Sequence, residues 1–436
     1  MKKVLVIAYY FPPSGGPGVQ RVLKHIKYLK DFGWSPVVLT VSNGQFPARD
    51  ESLLQEIPDD VEVHRTKIFE PYDIYRAFTG KKKGSAIDVN VIKKEGQKRS
   101  FTESIAEFIR ATFFIPDARV GWLNSAVKKG SELIKEKNIE AIYSSSPPYT
   151  CSLIAKKLKK KFDLPWVAGF RDPWTGFISS PKRWLLPSAI DKRMEKNVFK
   201  SADSVECAWQ GIIEDAINKY PELDRSKFHH VPNGFDSADF PTLKNVTEFN
   251  DKFTLTYTGS MYGRRNPEAL FLALEELINE KLVDSNKISL QFIGRFGNEV
   301  KKMFESVTFS SSLVLLDYMA HKKSIEHLMR SDATLLIVDE SKESEYIVPG
   351  KIYEYLGVGK PVFVISPETG AISQLIKETN GGLLAHQSNI PNIKANFLEY
   401  YSKWQKKEKL IEAKKEEIQQ YERRNSTKKL SELLNN

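Results

Sequence analysis

From Lys3 to Val41 the chain runs through a short apolar stretch, a glycine-rich loop, an amphipathic pattern and a second apolar stretch, and that order leaves few folds open. Val4, Leu5, Val6, Ile7 and Ala8 form the first run, and Ser14, Gly15, Gly16, Pro17 and Gly18 form the loop. Val19, Val22, Leu23, Ile26, Leu29 and Phe32 then recur at helical spacing before Gly33, and Val37, Val38 and Leu39 make the second run. Apolar positions three and four apart mark one face of a helix, which glycine commonly ends. Strand, helix and strand in this order predict a βαβ unit and therefore a parallel sheet.

The same alternation recurs along the chain. Residues 65–119 interrupt it and read as an insertion, with a Gly80-Lys81-Lys82-Lys83-Gly84 run and an amphipathic pattern from Ser104 to Phe114. It resumes with a strand at 139–143, a loop of Ser144, Ser145, Ser146, Pro147 and Pro148, a lysine-rich helix, and strands at 166–170 and 202–206. Val231-Pro232-Asn233-Gly234-Phe235-Asp236 is turn chemistry before a polar connection. Strands are then expected at 253–257, 288–293, 313–316, 333–338 and 361–365, with helices between them. This predicts an α/β protein of two doubly wound domains facing across a cleft. The domains are residues 1–235 and 251–396, joined by a linker at 236–250 and followed by helices at 397–436. In that tail Tyr401, Trp404, Ile411, Ile418, Tyr421, Leu430 and Leu434 stand among dense charge, a pattern of surface helices with one buried stripe.

A length of 436 residues agrees with two domains. The only cysteines, Cys151 and Cys207, exclude a disulfide framework and a Cys-based zinc site and fit a reducing cytosol. The first eleven residues read as a buried strand, because Pro12, Pro13 and glycines follow where a leader would carry a small-residue cleavage site. No apolar run approaches the roughly 18 residues that span a bilayer. The formal charge of +10 favours anionic partners. Nucleic acid is disfavoured among them, since the basic residues do not interleave with aromatics as a stacking groove requires.

Ligands of open α/β sheets bind beyond the carboxyl ends of the strands. Four segments fall there. Gly15, Gly16 and Gly18 leave room for backbone N–H groups to approach a phosphate at a helix start, although a glycine turn also occurs without a ligand. Arg264 and Arg265 follow the first strand of the second half, where guanidinium groups grip diphosphates; two arginines on a surface turn are the plain alternative. Lys351 and Glu354 lie one helical turn apart, so a cation for phosphate and a carboxylate for ribose could stand side by side, or form only a surface ion pair. Arg171 and Asp172 follow the strand at 166–170 and read either as a sugar or acceptor contact or as a pair holding a loop.

Taken together these segments resemble the retaining GT-B glycosyltransferases of family 4 over essentially the whole chain. The resemblance is carried by Tyr9-Tyr10-Phe11-Pro12-Pro13-Ser14-Gly15-Gly16 with Gln20-Arg21, by Val231-Pro232-Asn233-Gly234-Phe235-Asp236, and by Pro349-Gly350-Lys351-Ile352-Tyr353-Glu354-Tyr355-Leu356-Gly357-Val358-Gly359-Lys360-Pro361-Val362. It implies that Glu354 binds the donor ribose and that Gly15 and Gly16 line the donor diphosphate. By the same resemblance Pro367-Glu368-Thr369-Gly370 is a donor loop, bringing Glu368 and Gly370 to the site. The chain departs from the family pattern in three places. Tyr346 stands eight residues before Glu354 where the family has a glutamate, with Glu345 one residue off. Gly259-Ser260, with Arg264 and Arg265 further on, replaces the usual Gly-Arg and later lysine, so the roles of Gly259, Arg264, Arg265 and Lys351 are transferred by function. Arg171-Asp172 replaces a His-Asp pair.

The expectation is a cytoplasmic enzyme that moves a hexose from a nucleotide sugar to a hydroxyl acceptor, a glycan or lipid-linked glycan, with retention and without a further cofactor. Arg264, Arg265 and Lys351 are its candidate catalytic cations. No two aspartates stand two apart, so the Asp-x-Asp arrangement that holds a metal on a donor diphosphate is absent and a metal-independent reaction is expected. A nucleotide-sugar epimerase of the same architecture is the second enzymatic reading, distinguished by an isomerised donor. A non-catalytic nucleotide- or glycan-binding scaffold is the third, distinguished by the absence of donor hydrolysis. The basic and apolar residues of the insertion, Lys81, Lys82, Lys83, Lys93, Lys94, Lys98, Arg99, Phe101, Ile105, Phe108, Ile109, Phe113, Phe114 and Ile115, predict peripheral attachment to the inner face of an anionic membrane, with apolar residues packed on the domain core and lysines on a loop as the plain alternative.

Overall fold

Among the described residues every paired strand runs parallel to its neighbour, as a strand–helix–strand order requires. The computed structural model describes residues 1–46, 48–69, 108–109, 111–177, 180, 182–243, 249–339, 345 and 348–435. They divide into two units, Met1–Pro232 with Arg424–Asn436, and Asn233–Arg423.

Unit 1 holds β1 (Lys2–Ala8), β2 (Trp34–Val41), β3 (Glu62–Thr66), β4 (Ala141–Ser146), β5 (Trp166–Phe170), β6 (Ser204–Cys207) and β7 (Phe228–His230). Their spatial order is β3-β2-β1-β4-β5-β6-β7, which reverses direction between β1 and β4. The first connection is α1 (Pro17–Tyr28), followed by a 3₁₀ turn that ends at Gly33 in the left-handed region. Helices α2 (Leu123–Lys137), α3 (Thr150–Phe162), α4 (Leu185–Ser201) and α5 (Gln210–Lys219) make later connections. Val4, Val6, Val19, Val22, Leu23 and Ile26 share one core, and Leu430, Leu433 and Leu434 of the closing helix pack into it.

The strand expected at 139–143 begins later and takes in the serines read as a loop. Fully buried parallel strands tolerate serine when its hydroxyl finds a partner. Here Ser144 Oγ accepts from Trp166 Nε1 at 2.9 Å, and Ser146 Oγ lies 2.7 Å from Ser152 Oγ.

One buried ion pair ties the unit together. Arg21 on α1 donates to Glu206 of β6 at 2.6 Å and to the carbonyls of Val231 at 2.7 Å and Pro232 at 3.3 Å. Tyr143 of β4 donates to the other oxygen of Glu206 at 2.7 Å. Burial pushes the Glu206 carboxyl up, but Arg21, His25 and Tyr143 outweigh it and hold the group at about 2.

Unit 2 holds β8 (Phe253–Thr258), β9 (Ile288–Gly294), β10 (Leu313–Asp317), β11 (Ala333–Ile337), β12 (Val362–Ile365) and β13 (Gly382–Ala385), in the order β10-β9-β8-β11-β12-β13. The direction reverses between β8 and β11. The connecting helices are α6 (Glu268–Asn279), α7 (Asn298–Ser306), α8 (His321–Arg330), α9 (Lys351–Gly357), α10 (Ala371–Thr379) and α11 (Ile390–Gln405). Tyr401 and Trp404 of α11 join the core of β8 and β9, while Ile418 and Tyr421 join a cluster containing Phe235, Tyr353 and Tyr355.

The expectations for the lysine run at 81–83, for Lys93, Lys94, Lys98, Arg99, Phe101 and Ile105, and for Tyr346 lie outside the described residues. No described helix is long and apolar enough to cross a membrane.

Candidate functional site

The reversal of strand order in unit 2 opens the carboxyl ends of β8 and β11, and several residues singled out in the sequence gather there. After Thr258 the chain turns at Gly259 with φ of +116°, a conformation that side-chain-bearing residues rarely adopt. A Cβ on Gly259 would also lie 2.8 Å from Lys351 Nζ, so a side chain there would displace the ammonium as well as strain the backbone.

Lys351 opens α9 and turns inward. Its ammonium donates to the Thr258 carbonyl at 2.7 Å and to the Tyr257 hydroxyl at 3.0 Å, and lies 4.1 Å from the centre of the Tyr257 ring. Tyr355, one turn further along α9, accepts from the Thr258 N–H at 3.0 Å. The helix is thus docked on the end of β8 at two points. Among the described residues no carboxylate lies within ion-pair distance of Lys351. Burial pushes its ammonium down to about 7, and Arg265 acts in the same direction while Glu354 opposes them.

Glu354 faces outward instead of standing against Lys351. Its Oε1 accepts from His321 Nε2 at 2.8 Å, and the two side chains are 28% and 32% exposed. Arg265 reaches Asp339, just beyond β11, at the long distance of 3.7 Å, and its Nε is buried without a hydrogen-bond partner. Arg264 is exposed. At the end of β12, Gly370 precedes α10 with φ of +95°, close against the Glu345 backbone, and Thr369 Oγ1 donates to Glu345 Oε1 at 3.4 Å. Glu368 in the same loop is exposed.

The remaining candidates belong to unit 1. Gly15 donates its N–H to the Ala48 carbonyl at 2.9 Å, and Gly16 is the N-cap of α1 with open space around it. Arg171 donates to the carbonyls of Ser146 at 3.3 Å and Pro147, and its guanidinium sits 5.7 Å from the Tyr10 ring. It lies so close to α1 that a Cβ on Gly18 would overlap it. These contacts occupy Arg171 with the main chain at the end of β4. Burial pushes the Asp172 carboxyl up, with Arg171 pulling against it.

Sequence reasoning missed His321, Tyr257 and Asp339. None had a local signal: each is joined to the site through a residue 33 to 94 positions away. Only their position at strand ends, which β8, β10 and β11 share, marks them.

No family model matches the sequence, and no curated protein matches it. Solved structures do match over the whole length. Sucrose-phosphate synthase from Thermosynechococcus elongatus aligns with a TM-score of 0.60 at 11% identity, covering 99% of this chain and 98% of that one. The α,α-trehalose 6-phosphate synthase of Burkholderia multivorans gives 0.60 at 10%, covering 100% and 98%. S. aureus TarM, in a complex with Fondaparinux, α-GlcNAc-glycerol and UDP, gives 0.58 at 10%, covering 100% of both chains.

The chain has the GT-B fold. At this identity the likeness carries the architecture alone, so the chemistry rests on the residues described above.

The depressed Lys351 group has a measurable consequence. A lysine in the unfolded chain titrates near 10.5, so between about 7 and 10.5 the unfolded state binds more protons and stability rises with pH. Lys351→Met is expected to flatten that rise, read as the urea midpoint at pH 7, 8.5 and 10. An unchanged slope in the variant would show that Lys351 is not the buried group.

Proposed function

We propose that the protein is a glycosyltransferase that moves a sugar from a nucleoside diphosphate to a hydroxyl acceptor, a glycan or lipid-linked glycan. The observation that carries this reading is the Lys351 ammonium, turned inward at the switch point of unit 2 with no carboxylate within ion-pair distance among the described residues. A cation held without a carboxylate where the strand ends open is short of one anionic partner. A diphosphate has the charge to supply it. The TarM structure contains UDP, and the sucrose-phosphate and trehalose 6-phosphate synthases share the architecture, which favours a nucleotide-linked sugar over other phosphates.

In the reaction the bond between the anomeric carbon and the diphosphate oxygen breaks, the acceptor oxygen bonds to that carbon, and the acceptor proton passes to the departing diphosphate. Positive charge develops on the sugar ring while negative charge gathers on the departing diphosphate. Lys351 and Arg265 stand ready to meet that negative charge, and Gly259 lets the backbone approach it without a side chain between. Arg264 is an outer cation in this scheme. Glu354 accepts hydrogen bonds from the ribose, and the Glu345, Glu368 and Gly370 loop faces the same strand ends. Retention, and transfer without a metal ion, follow from the family resemblance and from the cations available.

Attachment to an anionic membrane face is part of this reading. Trp184, Leu185, Leu186 and Ile190 at the start of α4 are exposed by 45%, 89%, 59% and 39%, beside exposed Phe108 and Phe113. Arg183 holds this surface together through the carbonyls of Ala111, Phe114 and Pro116, and Trp184 Nε1 donates to Thr112. Lys182, Lys192 and Arg193 are exposed around it, so apolar insertion and headgroup attraction would act together.

Two measurements follow. Glu354→Ala is expected to weaken nucleotide binding by about 1.5–3 kcal/mol, the range for hydrogen bonds to a charged group, whereas Arg265→Ala should lower kcat more than it raises KM. Unchanged affinity in the first variant, or an effect on KM alone in the second, would contradict the assigned roles. The protein should also sediment with anionic vesicles at low salt and much less after Leu185→Ser with Leu186→Ser; retention of the intact protein in the supernatant would end the membrane assignment.

A further inference from the structure

We infer that His321 is a positioning residue for nucleotide recognition, holding the Glu354 carboxylate in the orientation that receives the ribose diol. The inference rests on the reading of Glu354 as the ribose-binding group.

Glu354 and His321 come from different parts of unit 2. Glu354 lies on α9, which follows β11, while His321 is the first residue of α8, which follows β10. Strand order puts β9 and β8 between β10 and β11, so nothing in the local chain obliges these two side chains to meet. They nevertheless lie 2.8 Å apart, Nε2 to Oε1. A carboxylate accepts only, so the imidazole proton sits on Nε2 and is donated. Among the described residues no hydrogen bond reaches Oε2 of Glu354, which leaves that oxygen for an incoming hydroxyl.

The physical gain is preorganisation. A glutamate on a partly exposed helix face samples many rotamers, and that freedom is lost when it binds a ligand. The imidazole removes part of it beforehand by fixing one oxygen and presenting the other. Lys351 cannot do this, because its ammonium is turned inward to Thr258 and Tyr257. The imidazole N–H hydrogen-bonds the carboxylate without taking up its charge, so Glu354 remains an acceptor.

The role separates from a general structural one by the ligand atoms it affects. Binding of UDP, ADP and GDP, and of the matching 2′-deoxy and 3′-deoxy nucleotides, is measured by calorimetry with the full chain, its His321→Leu variant and its His321→Gln variant. The wild type is expected to prefer at least one ribonucleotide over its deoxy counterparts. His321→Leu should weaken the ribonucleotide roughly tenfold while changing the deoxy forms much less, which collapses the ratio between them. His321→Gln, whose amide N–H reaches near the place of Nε2, should restore most of the ratio. A His321→Leu protein that keeps the wild-type ratio overturns the inference and leaves the Glu354 reading standing. Equal affinities of ribo- and deoxynucleotides in the wild type, or no binding of any, would overturn the Glu354 reading itself and this inference with it.

Discussion

A lysine ammonium turned in against a carbonyl and a phenol, with no carboxylate within ion-pair distance among the described residues, is the constraint on which the arrangement of unit 2 turns. Lys351 and Tyr355 together join α9 to the end of β8. The same contacts that dock the helix take the ammonium out of water, and its preference for charge drops accordingly. A group so placed is poorly served by the protein alone and well served by an anion. Stability and binding therefore pull in opposite directions at one atom, which is common where a fold carries chemistry.

Unit 1 contains the opposite case. Arg21 and Glu206 are more deeply buried than Lys351, yet they touch at 2.6 Å, and Tyr143 and two backbone carbonyls complete the set of hydrogen bonds. Attraction between the partners outweighs desolvation, so Glu206 stays ionised with its titration at about 2. Such a pair holds α1, β4, β6 and the chain beyond β7 in register and has nothing left to offer a ligand. The two charges thus divide into a structural one and a functional candidate by whether an opposite charge is within contact distance.

Much of the architecture was legible in the chain because parallel sheets bury both faces and write continuous apolar runs, as at Val4, Leu5, Val6 and Ile7 or at residues 333–337. The serines of β4 were not, since their hydroxyls are satisfied by Trp166 and Ser152 only once the sheet exists. The amphipathic stripe of the closing helix could be read, but its destination in the core of unit 1 could not, because periodicity shows that a face is buried and not what buries it. At the site, Gly259 and Lys351 were found from spacing and resemblance, whereas the inward turn of Lys351 and the arrival of His321 at Glu354 depend on strand order. Arg171, read as either a ligand contact or a loop-holding group, is occupied by the carbonyls of Ser146 and Pro147.

The central claim concerns a bond, and following that bond tests it most directly. Purified protein is incubated with UDP-, GDP- and ADP-linked sugars in the presence of EDTA, with and without simple glycan acceptors, and phosphorus and proton NMR follow the donor. The account predicts free nucleoside diphosphate from at least one donor, faster when a hydroxyl acceptor is present, with the transferred sugar keeping its anomeric configuration. A donor that becomes isomerised with its diphosphate bond intact, or the absence of turnover from every donor, would contradict it.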